Sequence, residues 1–366
     1  DKQTYYKLSV AGEGKDSVRQ MARDLFASGC MNGDTALCQA ALSARGFFGL
    51  VNLGVPFACN EFGEYAGYKT DHDNTLRATS AGPLTSKYMV DCLEKEVKKN
   101  GTALFDHCLA VEILTDGGAV KGLITLNTDK TDDITRAFSI IRCRNIIIAT
   151  GGPAGLYRDS VYPFAQTGGT GLAFRAGAMG ANLTEWQYGI ASTGFRWNLS
   201  GSFQQVLPRY FSAAPDGSNE KEFLTDTFGD EDLLAMTFLK GYQWPFDAKK
   251  SITGSSRIDL AVFREIKAGR KVFMDFTTNP LGSRFDFSLI SDNCKNYLNA
   301  SGALLSTPVE RLLKLNPKAY DVYKNNGIDL RETPIEICVA AQHCNGGLAV
   351  DTDCQTTIEG LYAIGE

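Results

Sequence analysis

The chain has 366 residues, is 43% hydrophobic and carries a formal net charge of −5, enough to bury one large core split between two domains. Acids and bases are interspersed with no basic stripe, which argues against nucleic acid as a partner. No apolar run reaches the roughly 18 residues a membrane span needs, and the opening DKQTYYKLSV lacks the charge-then-apolar order of a signal peptide.

In chain order, residues 15–29 have the apolar spacing of an amphipathic helix ending on Gly29. Residues 33–50 form a second helix with Asp34 as its N-cap, and LGVPF (53–57) is a turn. The polar, Gly-rich stretch 63–86 has the texture of a ligand-facing loop and contains His72. From Thr85, Met89, Leu93 and Val97 recur at helical spacing, and KKNG closes the helix. Strands are expected near 103–105 and 109–115, then a Gly-Gly hairpin turn and a partner strand from Ala119. Ile146-Ile147-Ile148 is apolar on both faces, as a central parallel strand should be. QTGGTGLAFRAGA is a Gly-rich turn feeding a helix. After Ser192 aromatic and polar residues mix without period to about 245. A helix at 258–268, a strand at 271–276 and helices at 284–299 and 308–325 then make an α+β unit.

The ten cysteines form no CxxC pair and no Cys/His cluster of zinc spacing, so no metal site is expected. Most lie in apolar segments, where a thiol behaves as a small hydrophobe. That pattern reads as reduced thiols and a cytoplasmic chain; Cys344 stands apart because it adjoins His343.

Three glycine segments carry the chemistry: IIIATGG at 146–152, QTGGTGLAFRAGA at 166–178 and GLYAIGE at 360–366. Each lets the backbone approach a flat or charged group closely. Each follows a strand or opens a helix, where free N–H groups face a ligand.

Together with LTEWQYGIAST and AQHCNGGLAVD, their wording and order resemble the flavoprotein subunits of fumarate reductase and succinate dehydrogenase, with L-aspartate oxidase and adenylylsulfate reductase as relatives. The resemblance implies an α/β fold: a Rossmann-like FAD-binding domain from residues 1–195 and 343–366, and an inserted α+β capping domain from 196–342. It implies FAD as cofactor, with Ala110 at the adenine edge, Thr150, Gly151 and Gly152 near the adenosine half, and Gly365 and Glu366 at the ribityl and ribose hydroxyls. Thr167 and Gly168 stand in the TGDG place, with Gly168 where the family has Asp.

On the substrate side the resemblance implies a small, carboxylic-acid-like substrate and hydride transfer to or from the flavin. His343 matches a substrate-binding histidine able to hold an anion or shuttle a proton. Ser192 and Thr193 keep hydroxyls for a carboxylate, although Ile190 and Ala191 replace the family's His-Pro. Arg257 lies where the family carries its proton-delivering arginine, two residues out of the usual spacing, with Arg196 and Arg209 as lesser candidates. No GxGxxG and no helix after GLYAIGE is found. The chain therefore reads as an internal piece of a longer flavoprotein that by itself holds FAD weakly or not at all. The alternative is a truncated, non-catalytic binding or interaction module that holds no flavin. The electron donor or acceptor is unspecified by the residues.

Overall fold

The computed structural model describes residues 4–12, 15–27, 29–70, 73–164 and 166–366; His72 lies outside them. At the start, β3 (Asp73–Thr79) pairs antiparallel with both β1 (Tyr5–Tyr6) and β2 (Tyr68–Thr70). The helices Val18–Phe26 and Gly33–Asn52 pack on one another beside this sheet. The second is capped not by Asp34 but by Asn32, whose Oδ1 accepts from the Asp34 and Thr35 amides at 2.9 and 3.2 Å. Asn32 sits in extended conformation immediately before the first helical residue, so its side chain reaches back over the free N–H groups.

After the helix Thr85–Lys99, the expected strand at 103–105 is irregular chain: Leu104 and Phe105 are exposed and no neighbouring strand offers a ladder. The hairpin of β4 (Cys108–Asp116) and β5 (Ala119–Asn127) turns at Gly117-Gly118, both with positive φ, as a two-residue turn of this hand requires. β6 (Phe138–Arg142) extends it to three strands.

β7 (Ile146–Ile148) pairs in parallel with β15 (Leu361–Ala363), so Ile146, Ile147 and Ile148 lie beside Leu361, Tyr362 and Ala363. Side chains alternate along a strand. Ile146 and Ile148 pack on the cluster of Ile113, Val120, Ala173 and Leu361, while Ile147 points the other way and is 63% exposed. The run is buried on one face, not on both.

The main sheet has the order β10-β9-β13-β12-β11, antiparallel throughout: β9 is Trp186–Ser192, β10 Trp197–Asn198, β11 Arg209–Ala213, β12 Lys271–Asp275 and β13 Ile335–Cys344. It draws β9 and the end of β13 from outside residues 196–342, so positions 195 and 343 lie along one continuous sheet. Two short strands, β8 (Gly180–Ala181) and β14 (Gly347–Leu348), pair beside it. The largest apolar core, containing Ile190, Phe203, Val262, Met274, Leu312 and Ile337, fills the space between this sheet and the helices Leu224–Lys240, Ser256–Lys267 and Asp292–Ala300.

The last of these is shorter than the 284–299 expected, because Ser291 caps it. The single helix expected at 308–325 is two, Pro308–Leu315 and Pro317–Asn325. Pro317 has no N–H to continue the first helix, and the Asn316 side chain caps the second. The helix Leu224–Lys240 escapes a periodicity reading because Gly229 (φ 71°, ψ 176°) interrupts it.

Candidate functional site

The parallel pairing of β7 and β15 decides where the glycine segments go. Two adjacent parallel strands end side by side, so Thr150-Gly151-Gly152 and Gly365-Glu366 emerge together. A Cβ on Gly152 would fall 2.5 Å from Glu366 Oε1, and one on Gly169 would fall 2.7 Å from Thr150 Oγ1. Gly168 has φ +73° and stands with its Cα against the Gly152 carbonyl, where a Cβ would approach to 3.0 Å. Three segments distant in sequence thus interlock at one point, and a side chain at any of the three glycines would displace another segment.

His343 reaches the same place from the main sheet. A β-bulge at Ala341–His343 places Gln342 as an extra residue and sets His343 opposite Gln187. The Gln342 amide turns inward to the Gly189 carbonyl at 2.9 Å. His343 Nδ1 lies 3.3 Å from Glu366 Oε1, and the Cys344 N–H donates to that same oxygen at 2.7 Å. Burial lowers the His343 pKa, so the imidazole is neutral at pH 7, and burial raises that of Glu366 against the opposing pull of the Cys344 amide. The Cys344 thiol is pushed up by burial and donates to the Gly346 carbonyl at 3.1 Å, the state of an unreactive thiol.

These groups line a cleft of about 1220 Å³. Ile148, Thr150, Gly151 and Pro153, then His343, Asn345, Gly365 and Glu366, and from the first elements Tyr6, Asp24 and Cys30, are among its lining. Residues Phe246–Lys249 of the 196–342 segment also line it, with the Phe246 N–H on the Tyr188 carbonyl at 2.7 Å. Of the residues singled out in the sequence, Thr150, Gly151, His343, Gly365 and Glu366 line the cleft, and Gly152 backs Glu366. Thr167 is exposed beside Gly168, outside the lining. Ala110 faces its hairpin partner Thr125 on β4 and does not line it.

Five further residues are placed elsewhere. Ser192 is buried, with its hydroxyl 2.6 Å from that of Tyr323 and engaged with the Phe195 carbonyl. Thr193 bonds the Glu336 carbonyl at 3.4 Å. Arg257 donates to the Thr227 carbonyl at 2.7 Å and stacks 4.5 Å over the Phe228 ring. Arg209 is held by Glu220 and Glu222, and Arg196 by the carbonyls of Arg158 and Tyr162. Each of these side chains has partners where it is, outside the cleft lining.

Sequence reasoning passed over Gln187, Asp24, Glu185 and the Phe246–Lys249 segment, all of which line the cleft. Gln187 lay inside a quoted motif, and its place opposite His343 follows from the strand pairing alone. The 246–249 segment carries no motif; it is placed by the Phe246 N–H on the Tyr188 carbonyl and the Asp247 N–H on the Ser256 hydroxyl. No group of three metal-ligating side chains occurs among the described residues, no disulfide joins the described cysteines, and no described helix is long and apolar enough to cross a membrane.

Residues 5–366 match the family described as FAD binding domain. The chain belongs to that family. Similar proteins include L-aspartate oxidase 2 of Ralstonia nicotianae, 25% identical over 321 residues covering 87% of this chain and 50% of the relative. The succinate dehydrogenase flavoprotein subunit of Bacillus subtilis is 25% identical over 340 residues, 90% of this chain and 50% of that one. Among solved structures, a quinol fumarate reductase chain of E. coli superposes with TM-score 0.66 at 20% identity, covering 99% of this chain and 56% of that one. Mycobacterium smegmatis Sdh1 gives 0.67 at 18%, covering 100% and 56%. These structural likenesses establish the FAD-binding α/β fold. The chain spans about half the length of the curated relatives it matches.

The residues present fit FAD. The glycine turns at the ends of two parallel strands pack on one another and so bring Thr150, Gly151, Gly365 and Glu366 together on the cleft lining, where the Glu366 carboxylate is an acceptor suited to sugar hydroxyls rather than to phosphate.

Proposed function

We propose that this chain forms the cofactor and substrate core of an FAD-dependent oxidoreductase that moves a hydride between the flavin and a small organic acid or related substrate. The observation that carries the reading is the interlock of Gly152, Gly168 and Glu366 directly beside His343. Thr150, Gly151, Gly152, Thr167 and Gly168 would hold the adenosine half, with Ala110 as a more distant contact, and Gly365 and Glu366 the hydroxyls of the sugar chain. The flavin, when bound, supplies the two-electron chemistry.

The chain's own part is to orient and to manage a proton. Glu366 accepts from the Cys344 amide and stands against His343 Nδ1. If the imidazole donates from Nδ1 to this carboxylate, Nε2 is left as the acceptor; neutral at pH 7, it can take or relay a proton. The 196–342 segment acts as a cap, with Phe246–Lys249 excluding water from the cleft. Ser192, Thr193 and Arg257 would reach substrate only after leaving the partners described above.

The test is direct. The purified protein is expected to take up FAD, turn yellow and quench flavin fluorescence. His343→Ala is expected to keep FAD and to lower turnover about 100-fold or more, the usual scale for loss of a proton-transfer group. A second reading, in which this chain alone holds no flavin, is favoured by the bare outer face of the β7–β15 pair, where Ile147 is 63% and Ile364 49% exposed. Colourless protein after incubation with FAD would select it.

A further inference from the structure

Strand alternation alone would put His343 on the wrong face. Residues two apart in a strand share a face, so a regular β13 would set His343 on the side of Ala341, which is 1% exposed. The register differs: Ala341 stands opposite Tyr188, but His343 stands opposite Gln187, the adjacent residue of β9. Adjacent residues of a strand point to opposite faces, so the one extra residue, Gln342, carries His343 across to the face of Gln187. Gln187 and His343 both line the cleft. The same shift sets Cys344 opposite Trp186 and brings its N–H to Glu366 Oε1 at 2.7 Å.

The chain before the bulge is pinned on both edges. Ala341 pairs with Tyr188 on one side, and on the other its carbonyl accepts from the Val161 N–H at 3.1 Å. At the bulge itself the fixed point is a side chain. Gln342 is 7% exposed, and its Nε2 donates to the Gly189 carbonyl at 2.9 Å. Gly189 lies against Trp244, with room for no Cβ, so this carbonyl belongs to a closely packed part of β9. We infer that Gln342 is the positioning residue of the site: its amide, held on the Gly189 carbonyl, keeps the bulge that turns His343 to the cleft and to Glu366. It acts through His343 and Cys344 rather than on a ligand. This rests on the oxidoreductase reading above, which gives the imidazole its role, and adds the device that aims it. A regular register restores the ladder that a bulge interrupts, so without the amide donor β13 slips by one residue and His343 turns to the buried face.

The experiment is nitrogen NMR of the imidazoles in the purified protein at about pH 8, where a histidine is neutral. The chain has three histidines, and the His343 signals are those missing from His343→Gln. The parent is expected to show the Nδ1–H tautomer at His343, because Nδ1 stands 3.3 Å from Glu366 Oε1 and the partner of one ring nitrogen sets the tautomer. Gln342→Met keeps the length and removes the donor, and should lose that signature in favour of Nε2–H, the form a free imidazole prefers. Gln342→Asn, one methylene too short to span to Gly189, is the second variant and should lose it too. Val339→Ala, on the same strand with its side chain on the main core, should lower the thermal transition and keep the signature. An Nε2–H parent, a folded glutamine variant with the parent's signature, or loss of the signature in Val339→Ala would each overturn the inference. So would side-chain amide protons of Gln342 that exchange in the parent as fast as those of exposed glutamines, whatever the variants do. A protein that takes up no FAD overturns the oxidoreductase reading instead, and the comparison of tautomers stands without the cofactor.

Discussion

A methyl group at residue 152 would stand 2.5 Å from Glu366 Oε1, a distance no real Cβ keeps, so either the carboxylate or the turn after β7 must move. Overpacking of this kind costs roughly 1–3 kcal/mol, and here it falls on the cofactor cradle rather than on a core. Gly152→Ala should therefore weaken FAD binding about tenfold or more while the thermal transition stays within a few degrees of the parent; a fluorescence titration with FAD reads the difference. His343 makes a second claim at this scale. Its pKa is lowered by burial, so below the ordinary value of about 6.5 the unfolded chain gains a proton before the folded one does. Its contribution to stability is fully present above that value and is lost as pH falls towards the lowered pKa. Glu366, raised by burial, acts in the opposite sense, favouring the fold at low pH and losing that contribution as pH rises through its pKa. Denaturant unfolding of His343→Gln and the parent between about pH 5 and 7 should show the parent losing relative stability on acidification. Glycines at tight turns and a histidine in a glycine-flanked strand end were legible in the sequence because backbone need is written in residue type. The seats of Ser192 and Arg257 were not, because Tyr323 and Thr227 reach them from segments far along the chain.

At the level of elements, long periodic helices and the hairpin at Gly117-Gly118 could be read directly, and so could the strand of GLYAIGE. Elements whose form depends on a single neighbour could not. The division of the last helical stretch at Asn316-Pro317 is one such case, and the one-sided burial of β7 is another. The placement of the 244–249 segment against β9 is the case with functional weight. Gly189 lies directly under Trp244: a Cβ there would come within 2.6 Å of Trp244 Nε1. Two residues on, the Phe246 amide bonds the Tyr188 carbonyl. Gly189→Ala should lift Trp244 off the strand and take Phe246 out of the cleft with it. The expected signature is a shift in tryptophan emission, stability lower by roughly 1–3 kcal/mol, and FAD affinity close to the parent's, because the cradle lies on other strands. Loss of FAD affinity equal to that of Gly152→Ala would mean that the segment and the cradle are not separable.

Across the whole molecule, the part of the cleft lining that comes from Tyr6 and Asp24 depends on a buried charge network rather than on a large apolar core. Arg77 on β3 is fully buried. Its guanidinium meets Asp16 at 2.7 Å, Asp24 at 2.7 Å and Asp73 at 3.8 Å, with the Tyr6 hydroxyl at 3.4 Å. Tyr6 and Asp24 are themselves cleft-lining residues, so one side chain ties β1, the helix Val18–Phe26 and β3 to the site. The apolar clusters nearby are small, with Met21, Ala22 and Ala40 in one and Phe47, Val55 and Phe57 in another. Removing one partner of a buried ion pair typically costs 3–5 kcal/mol, because the remaining carboxylates are left without compensation. Burial pushes the Asp16 and Asp73 carboxyls up, but hydrogen bonds from Arg77, Thr75 and nearby amides outweigh it and hold both below the ordinary carboxylate value. Depressed acids contribute stability that is present above their unfolded value, about 3.9, and lost as pH falls through the folded one. Arg77→Met is therefore expected to raise amide hydrogen exchange in residues 15–27 and 73–79 at neutral pH, with the difference from the parent shrinking as pH falls and the parent loses the same contribution. Exchange in β11, β12 and the helix Ser256–Lys267 should stay as in the parent, since their core shares no residue with the network. Uniform acceleration across both regions would show that they unfold as one cooperative unit, and that Arg77 supports the entire chain rather than this part of the cleft lining.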